Sequence, residues 1–336
     1  MRAYFLSRGM AGPSDLKLGE RPDPVPGPRD ILVRMRAASL NYRDQVIARD
    51  AYMGLKMDKD TVPLSDGAGE VIAIGADVTR FKVGDRVVGT FNRGWHGGLH
   101  GDGTYAQLGQ MGVEGVLAER VVFDEGDAVL VPDGLSYEEA ACLPCAALTA
   151  WSALVVAGGM KAGQSVLTLG TGGVSIFALQ FAKAAGCHVI ATSSSDEKLD
   201  RARALGADQF VNYRKTPDWD AAVREMTGGR GVDHIVEIGG AGTLERSYRA
   251  LANDGCIGLV GFLAQADKPP LVGLPRWGRM VRVNVGSREG FEAMNRAIVQ
   301  NGIRPVVDRV FPFEQAIQAY DYEYSGQHFG KVVITI

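Results

Sequence analysis

Cysteine is scarce in this chain. Its 336 residues hold four thiols, Cys142, Cys145, Cys187 and Cys256. That is too few for a disulfide scaffold and fits a reducing cytosol. Charge of one sign is not in excess either. The net charge is −3, which removes any global electrostatic case for nucleic acid or an anionic membrane. The opening Met1-Arg2-Ala3-Tyr4 begins no apolar stretch long enough for a signal peptide. Two uncharged runs, 140–160 and 164–182, approach the length of a membrane span. Pro144, Ser152 and Gly158-Gly159 interrupt the first, and Gly170, Gly172 and Gly173 the second. Both therefore read as buried segments of an α/β core. The expectation is a cytoplasmic protein with neither membrane nor nucleic-acid partners.

What is abundant is glycine, with 44 residues. Glycines gather where backbone turns tightly or meets a ligand closely, so their positions carry the information. An apolar fraction of 46% and a charged fraction of 22% support a core of ordinary size. The length suits two domains.

The first third is rich in short apolar runs bounded by turn residues. Ile31–Met35 follows the Pro-rich 22–28, Glu70–Ile74 ends at Gly75-Ala76-Asp77, and Arg86–Gly89 follows Gly84-Asp85. This spacing predicts a small barrel or sandwich. Residues 91–115 read as a long surface loop. From Ser136 the pattern changes. Ser136-Tyr137-Glu138-Glu139 resembles a capping box. Apolar strands at 165–169, 188–192, 233–237 and 256–260 then alternate with helices at 176–185 and 197–205. Alternation of this kind means a parallel sheet covered on both faces. The fold class expected is α/β, with a β-rich domain and a doubly wound one. The last six residues, 331–336, read as a strand.

Gly170-Thr171-Gly172-Gly173-Val174-Ser175 lies between a predicted strand and a predicted helix. Glycines there allow close approach to a pyrophosphate, and the helix start offers free N–H groups and partial positive charge. Ser175 stands where a third glycine is usual. An acid about 20 residues further on normally binds the ribose 2′-hydroxyl of NAD. That position is Ser193, and no carboxylate occurs before Asp196. Ser193 and Ser194 can hydrogen-bond a 2′-phosphate and Lys198 can pair with its charge. The same residues also suit a solvated helix cap. The cofactor expected is NADPH rather than NADH.

These motifs together resemble the medium-chain dehydrogenase/reductase family, and within it the zinc-independent quinone oxidoreductase branch. The resemblance rests on Gly67-Ala68-Gly69-Glu70-Val71, Val83-Gly84-Asp85-Arg86-Val87, the Gly170 turn, Leu205-Gly206-Ala207-Asp208 and His328-Phe329-Gly330-Lys331-Val332-Val333-Ile334. It implies a GroES-like catalytic domain at 1–128 and 283–336 around a Rossmann domain at 129–282. Family members that use zinc place a Cys, a His-Glu pair and a second Cys around it. Alignment puts Asn41, Ser65 and Cys145 at those positions, so no metal site is implied. His96 and His100 sit among glycines that argue against a metal-binding helix, and Cys142 and Cys145 lie in an apolar run that argues against redox use. Asn41-Tyr42-Arg43-Asp44 and Tyr52 match residues lining the substrate cleft, which makes Asn41, Asp44 and Tyr52 the catalytic candidates. Thr149, Gly261-Phe262 and Gly286-Ser287 match contacts beside the nicotinamide, and Tyr213 joins the cofactor-binding set.

The resemblance implies hydride transfer from NADPH to a quinone or α,β-unsaturated carbonyl compound. Without zinc, a carbonyl loses its Lewis acid, whereas a conjugated acceptor yields a delocalised oxyanion that a few donors can stabilise. Asn41 and Tyr52 are the candidate donors, with Arg43 a further one. Asp44 is read as orienting its neighbours. Two alternatives stay open: an alcohol dehydrogenase with unusual metal ligands, and a nucleotide-binding protein without turnover. Residues 271–283, with Trp277 and Met280, imply a homodimer through the Rossmann edge.

Overall fold

A computed structural model describes residues 1–7, 9–49, 51–52, 59–98, 105–110, 112–261 and 277–336. The chain opens with β1 (Arg2–Phe5), β2 (Lys17–Glu20), β3 (Asp30–Ser39), α1 (Tyr42–Ala48), β4 (Asp66–Ile74) and β5 (Arg86–Gly89). It continues through β6 (Asn92–Arg93), β7 (Ala106–Gln107), β8 (Arg120–Asp124), β9 (Ala128–Leu130), α2 (Tyr137–Ala140) and α3 (Leu148–Trp151). The middle alternates β10 (Ser165–Thr168), α4 (Gly173–Ala184), β11 (His188–Ser193), α5 (Asp196–Ala204), β12 (Gln209–Asn212), α6 (Trp219–Met226), β13 (Val232–Glu237), α7 (Leu244–Ala250) and β14 (Leu251–Leu259). It ends with β15 (Arg279–Arg282), α8 (Arg288–Asn301), β16 (Val307–Pro312), α9 (Ala316–Tyr324) and β17 (Lys331–Thr335).

Two compact units result, Met1–Leu148 with Val285–Ile336, and Thr149–Asn284. The expected boundary at 128 falls inside the first unit. The physical reason is that α2 packs on β3 and β4, so the segment after β9 is held by the first sheet.

The first unit is built on a sheet of order β16-β17-β3-β4-β5-β9, with β8 also paired to β3. β3 is its spine because its side chains alternate: Ile31, Val33 and Met35 are buried, as the two-residue strand period requires. They join a core with Val71, Phe123, Tyr320 and Ile334. The interval 91–115 is not simply a surface loop. Phe91, Trp95 and Leu108 are buried, β6 pairs with β7, and Trp95 stacks on Tyr105 with ring centroids 5.4 Å apart. Its aromatic and apolar residues find burial that a polar loop would not seek.

The second unit carries six parallel strands in the order β12-β11-β10-β13-β14-β15. Counted from β10, that is the 3-2-1-4-5-6 order of a doubly wound dinucleotide fold. β10 is buried at every residue, as expected of a central parallel strand. No helix among the described residues is long and apolar enough to cross a membrane.

Candidate active site

The nucleotide end of the second unit is set by where its strand order reverses, between β10 and β13. Ligands of such sheets bind in the crevice outside the strand ends at that point. The turn after β10 is held there by its own chemistry. Gly170 has φ +69°, a conformation that strains any residue with a Cβ. Its N–H donates to Thr192 Oγ1 at 3.3 Å. Thr171 is buried, Gly172 caps α4, and Gly173, Val174 and Ser175 form its first turn. Ser175 Oγ donates to Leu169 O at 2.6 Å, so the residue standing for the third glycine ties helix to strand rather than merely fitting between them. The first-turn N–H groups of α4 have no acceptor within the helix, as at any helix start, and a pyrophosphate is the kind of group such a start can hold.

The opposite wall of the crevice is tied down by Glu237, fully buried at the end of β13. It accepts from Gly239 N (2.7 Å), Gly240 N (3.1 Å) and Thr243 Oγ1 (2.6 Å), and from Ser247 Oγ. Gly261 is required by backbone packing, since a Cβ there would stand 1.8 Å from Ile238 O. Phe262 lies outside the described residues. Thr149 is buried at the start of this unit.

At the ends of β11 and β12, Ser193 is buried and its Oγ accepts from Ser195 N at 3.2 Å. Ser195 Oγ accepts from Lys198 N at 3.4 Å and so caps α5. Ser194 and Lys198 are half-buried. Tyr213 is exposed and its N–H donates to Ser193 O at 3.0 Å. Ser193, Ser194, Lys198 and Tyr213 thus all lie near the ends of β11 and β12. Gly286 and Ser287 belong to the other unit. Ser287 Oγ is engaged as the cap of α8, accepting from Gly290 N at 3.2 Å.

In the first unit, Asn41, Asp44 and Tyr52 gather around Arg43. Asp44 Oδ2 accepts from Asn41 N at 2.8 Å, the reach-back bond of a capping box at the start of α1. Arg43 Nη1 lies 3.5 Å from Asp44 Oδ1 and donates to Leu108 O at 3.0 Å. Its guanidinium sits over the Tyr52 ring at 5.3 Å and the Phe91 ring at 4.7 Å, a cation–π arrangement. Tyr52 OH is 3.5 Å from Gln107 Oε1. Burial pushes the Asp44 carboxyl up to about 7, against the opposing pull of Arg43.

The decisive contact comes from the far end of the chain. Lys331, 3% exposed, donates its ammonium to Asn41 Oδ1 at 2.6 Å and also to Leu40 O. An ammonium only donates, so Asn41 must turn its oxygen toward it. Asn41 Nδ2 is then a buried donor with no hydrogen-bond partner among the described residues. Along the sequence, Lys331 stands only as part of the terminal motif at 328–334. The signal available was a charge inside an apolar strand, which demands a partner.

The donor set does not fit zinc. Asn41 Oδ1 is taken by Lys331. Ser65 Oγ donates to Asp66 Oδ1 at 2.6 Å. Burial pushes the Cys145 thiol far above its ordinary value. Cys142 is pushed up to about 12 for the same reason, and its thiol meets Glu138 O. His96 Nε2 lies 3.4 Å from Asp127 Oδ1, and His100 is outside the described residues. No group of three or more His, Cys, Asp or Glu among the described residues could hold a metal ion.

Known proteins resemble this chain along its whole length. The family described as alcohol dehydrogenase GroES-like domain matches residues 27–133, and zinc-binding dehydrogenase matches 173–300. A zinc-type alcohol dehydrogenase-like protein of Schizosaccharomyces pombe is 43% identical, covering 99% of both chains. A quinone oxidoreductase of Pseudomonas aeruginosa is 34% identical over 76% of this chain and 71% of its own. A solved structure from Sinorhizobium meliloti, provisionally named an alcohol dehydrogenase, is 45% identical with TM-score 0.90, each chain covered completely.

Proposed function

The chain belongs to the medium-chain dehydrogenase/reductase family, and from that premise we propose that it reduces quinones or α,β-unsaturated carbonyl compounds with NADPH and without catalytic zinc. The observation that carries the reading is the Asn41 amide, held oxygen-first by Lys331 with its donor unspent. A donor fixed in advance and buried is what a developing oxyanion needs.

Bound NADPH supplies the hydride. The remaining work falls to the chain. Asn41 Nδ2 donates to the oxygen on which charge builds. Lys331 fixes the direction of that donor and supplies positive charge behind it. Asp44 holds Asn41 N and so fixes the start of α1. Tyr52, beside Arg43 and Gln107, borders the same group and is the second donor. Thr149, Gly261, Phe262, Gly286 and Ser287 are assigned to the nicotinamide half of the cofactor. Gly170 to Ser175 take the pyrophosphate, and Ser193, Ser194, Lys198 and Tyr213 take the adenosine 2′-phosphate.

The four free thiols support a reducing compartment, and we place the enzyme in the cytoplasm. It is read as a homodimer through β15, the edge strand on which Met280 is 44% exposed and before which Trp277 is 82% exposed. Nicotinamide absorbance, followed with NADPH and NADH against quinones, enones and short aldehydes, tests the function. Rapid oxidation of NADPH by quinones or enones is expected. Turnover confined to alcohols and aldehydes, with stoichiometric zinc, would replace this reading with that of an alcohol dehydrogenase. Tight NADPH binding with no turnover would favour a binding protein.

A further inference from the structure

The sheet order brings the ends of β11 and β12 together: Ser193 pairs with Asn212. The first carboxylate past β11 is Asp196, which opens α5. It is not left to solvent. Asp196 Oδ1 accepts from Asn212 Nδ2 at 2.6 Å, and Oδ2 is held by Lys215 Nζ. The turn that carries Lys215 is fixed through the same asparagine. Arg214 N donates to Asn212 Oδ1 at 3.0 Å, and Lys215 N and Thr216 N both donate to Asn212 O, at 3.0 and 2.8 Å. The two partners hold Asp196 below its ordinary value, so the acid is ionised and its charge is paired.

The pair is surface-exposed, 69% at Lys215 and 55% at Asp196. Pairs that open to water add little stability, so stability does not account for the arrangement. Its location does. An unpaired carboxylate near the ribose of the adenosine favours a 2′-hydroxyl and repels a 2′-phosphate.

We propose that Lys215 is a specificity-determining residue for the cofactor: its ion pair with Asp196 is a charge latch that neutralises the first carboxylate past β11 and so admits a 2′-phosphate. This inference rests on the reading of the enzyme as NADPH-dependent. Ser193, Ser194 and Lys198 bind the phosphate, and the latch removes the charge that would oppose it. Opening the latch turns the same end of the sheet toward NADH.

The test titrates NADPH, NADH and adenosine 2′,5′-bisphosphate into the full-length protein, with Lys215→Gln, Asp196→Asn and the double variant beside wild type. Lys215→Gln is expected to weaken NADPH and the bisphosphate about tenfold, the effect of one uncompensated charge near a phosphate dianion. NADH affinity stays the same or rises, and the melting temperature stays unchanged. Asp196→Asn binds NADPH at least as tightly as wild type. The double variant returns to within about threefold of wild type, because the repelling charge is gone. Unchanged discrimination in Lys215→Gln overturns the latch. A double variant as weak as Lys215→Gln also overturns it, since Lys215 would then bind phosphate directly. Wild-type protein that binds NADH as tightly as NADPH fails the underlying cofactor reading, and the latch with it, before any variant is compared.

Discussion

Replacing Asn41 by Asp changes one atom that the account depends on. The side chain keeps its shape and its acceptor for Lys331, whose Nζ lies 2.6 Å from Oδ1. The Nδ2 donor becomes an oxygen. Nδ2 has no hydrogen-bond partner among the described residues, and the proposal assigns that donor to the substrate oxygen. Losing one such preorganised donor costs about 10²–10³ in kcat, or about 2.7–4 kcal/mol of transition-state stabilisation. Asn41→Asp is therefore expected to lose at least about 100-fold in kcat with an enone, the added negative charge opposing the oxyanion further. NADPH affinity is expected to stay within about twofold, since the turn proposed to take its phosphates lies in the other unit. Asp44, which already accepts from Asn41 N, opposes a further carboxylate beside it, so melting is measured in parallel, with Asn41→Ala as the uncharged comparison. Initial rates at saturating NADPH give kcat, and fluorescence titration gives the cofactor Kd. A folded Asn41→Asp protein that keeps kcat within about threefold would refute the role of the amide.

Lys331→Met removes a buried ammonium and leaves Asn41 Oδ1 and Leu40 O without it. It is expected to cost about 2–4 kcal/mol in urea unfolding and to lower kcat more than KM for the quinone. Asp44 carries a pH signature. Burial raises its carboxyl from an ordinary 3.8 to about 7, so the folded chain keeps a proton that the unfolded chain releases across that window. Stability from this group is full below pH 4 and falls as pH rises toward 7, by at most about 4 kcal/mol. Unfolding of Asp44→Asn at pH 5 and pH 8 should lack that decline, and an equal decline in both proteins would remove Asp44 as its source. Gly170→Ala meets nothing closer than Ile238 Cδ1 at 3.7 Å but retains φ +69°. It is expected to cost about 1 kcal/mol of stability and to weaken NADPH at least tenfold by titration. Light scattering should report a dimer, and Met280→Lys on the exposed edge strand should shift it to monomer if that edge is the interface.

The parts of this protein that sequence makes visible are those in which neighbours along the chain decide the structure. The turn from Gly170 to Ser175 is legible because a strand, a left-handed glycine and a helix start follow one another within a few residues. Ser136 and Glu139 likewise form their capping box within four residues. The Asn41 site is different. The residue that orients its amide is Lys331, at the other end of the chain, and no local pattern joins them. Asp44, too, was visible only as a motif position. Its bond to Asn41 N is local and follows the capping-box spacing, but its burial comes from the tertiary packing around it. The interval 91–115 misled because its glycines outweighed Phe91, Trp95 and Leu108, whose burial depends on the unit that surrounds them. The pairing of Asp196 with Lys215 also needs the sheet order, which sets β12 beside β11.

The central claim is hydride transfer without a metal, aided by a fixed amide donor. It is tested most directly by stripping the purified protein with chelator, confirming the absence of zinc by elemental analysis, and following NADPH oxidation by an enone in a single turnover. The account predicts that the stripped enzyme retains its full rate and that added zinc does not raise it. A rate that vanishes on stripping and returns with stoichiometric zinc would contradict the account.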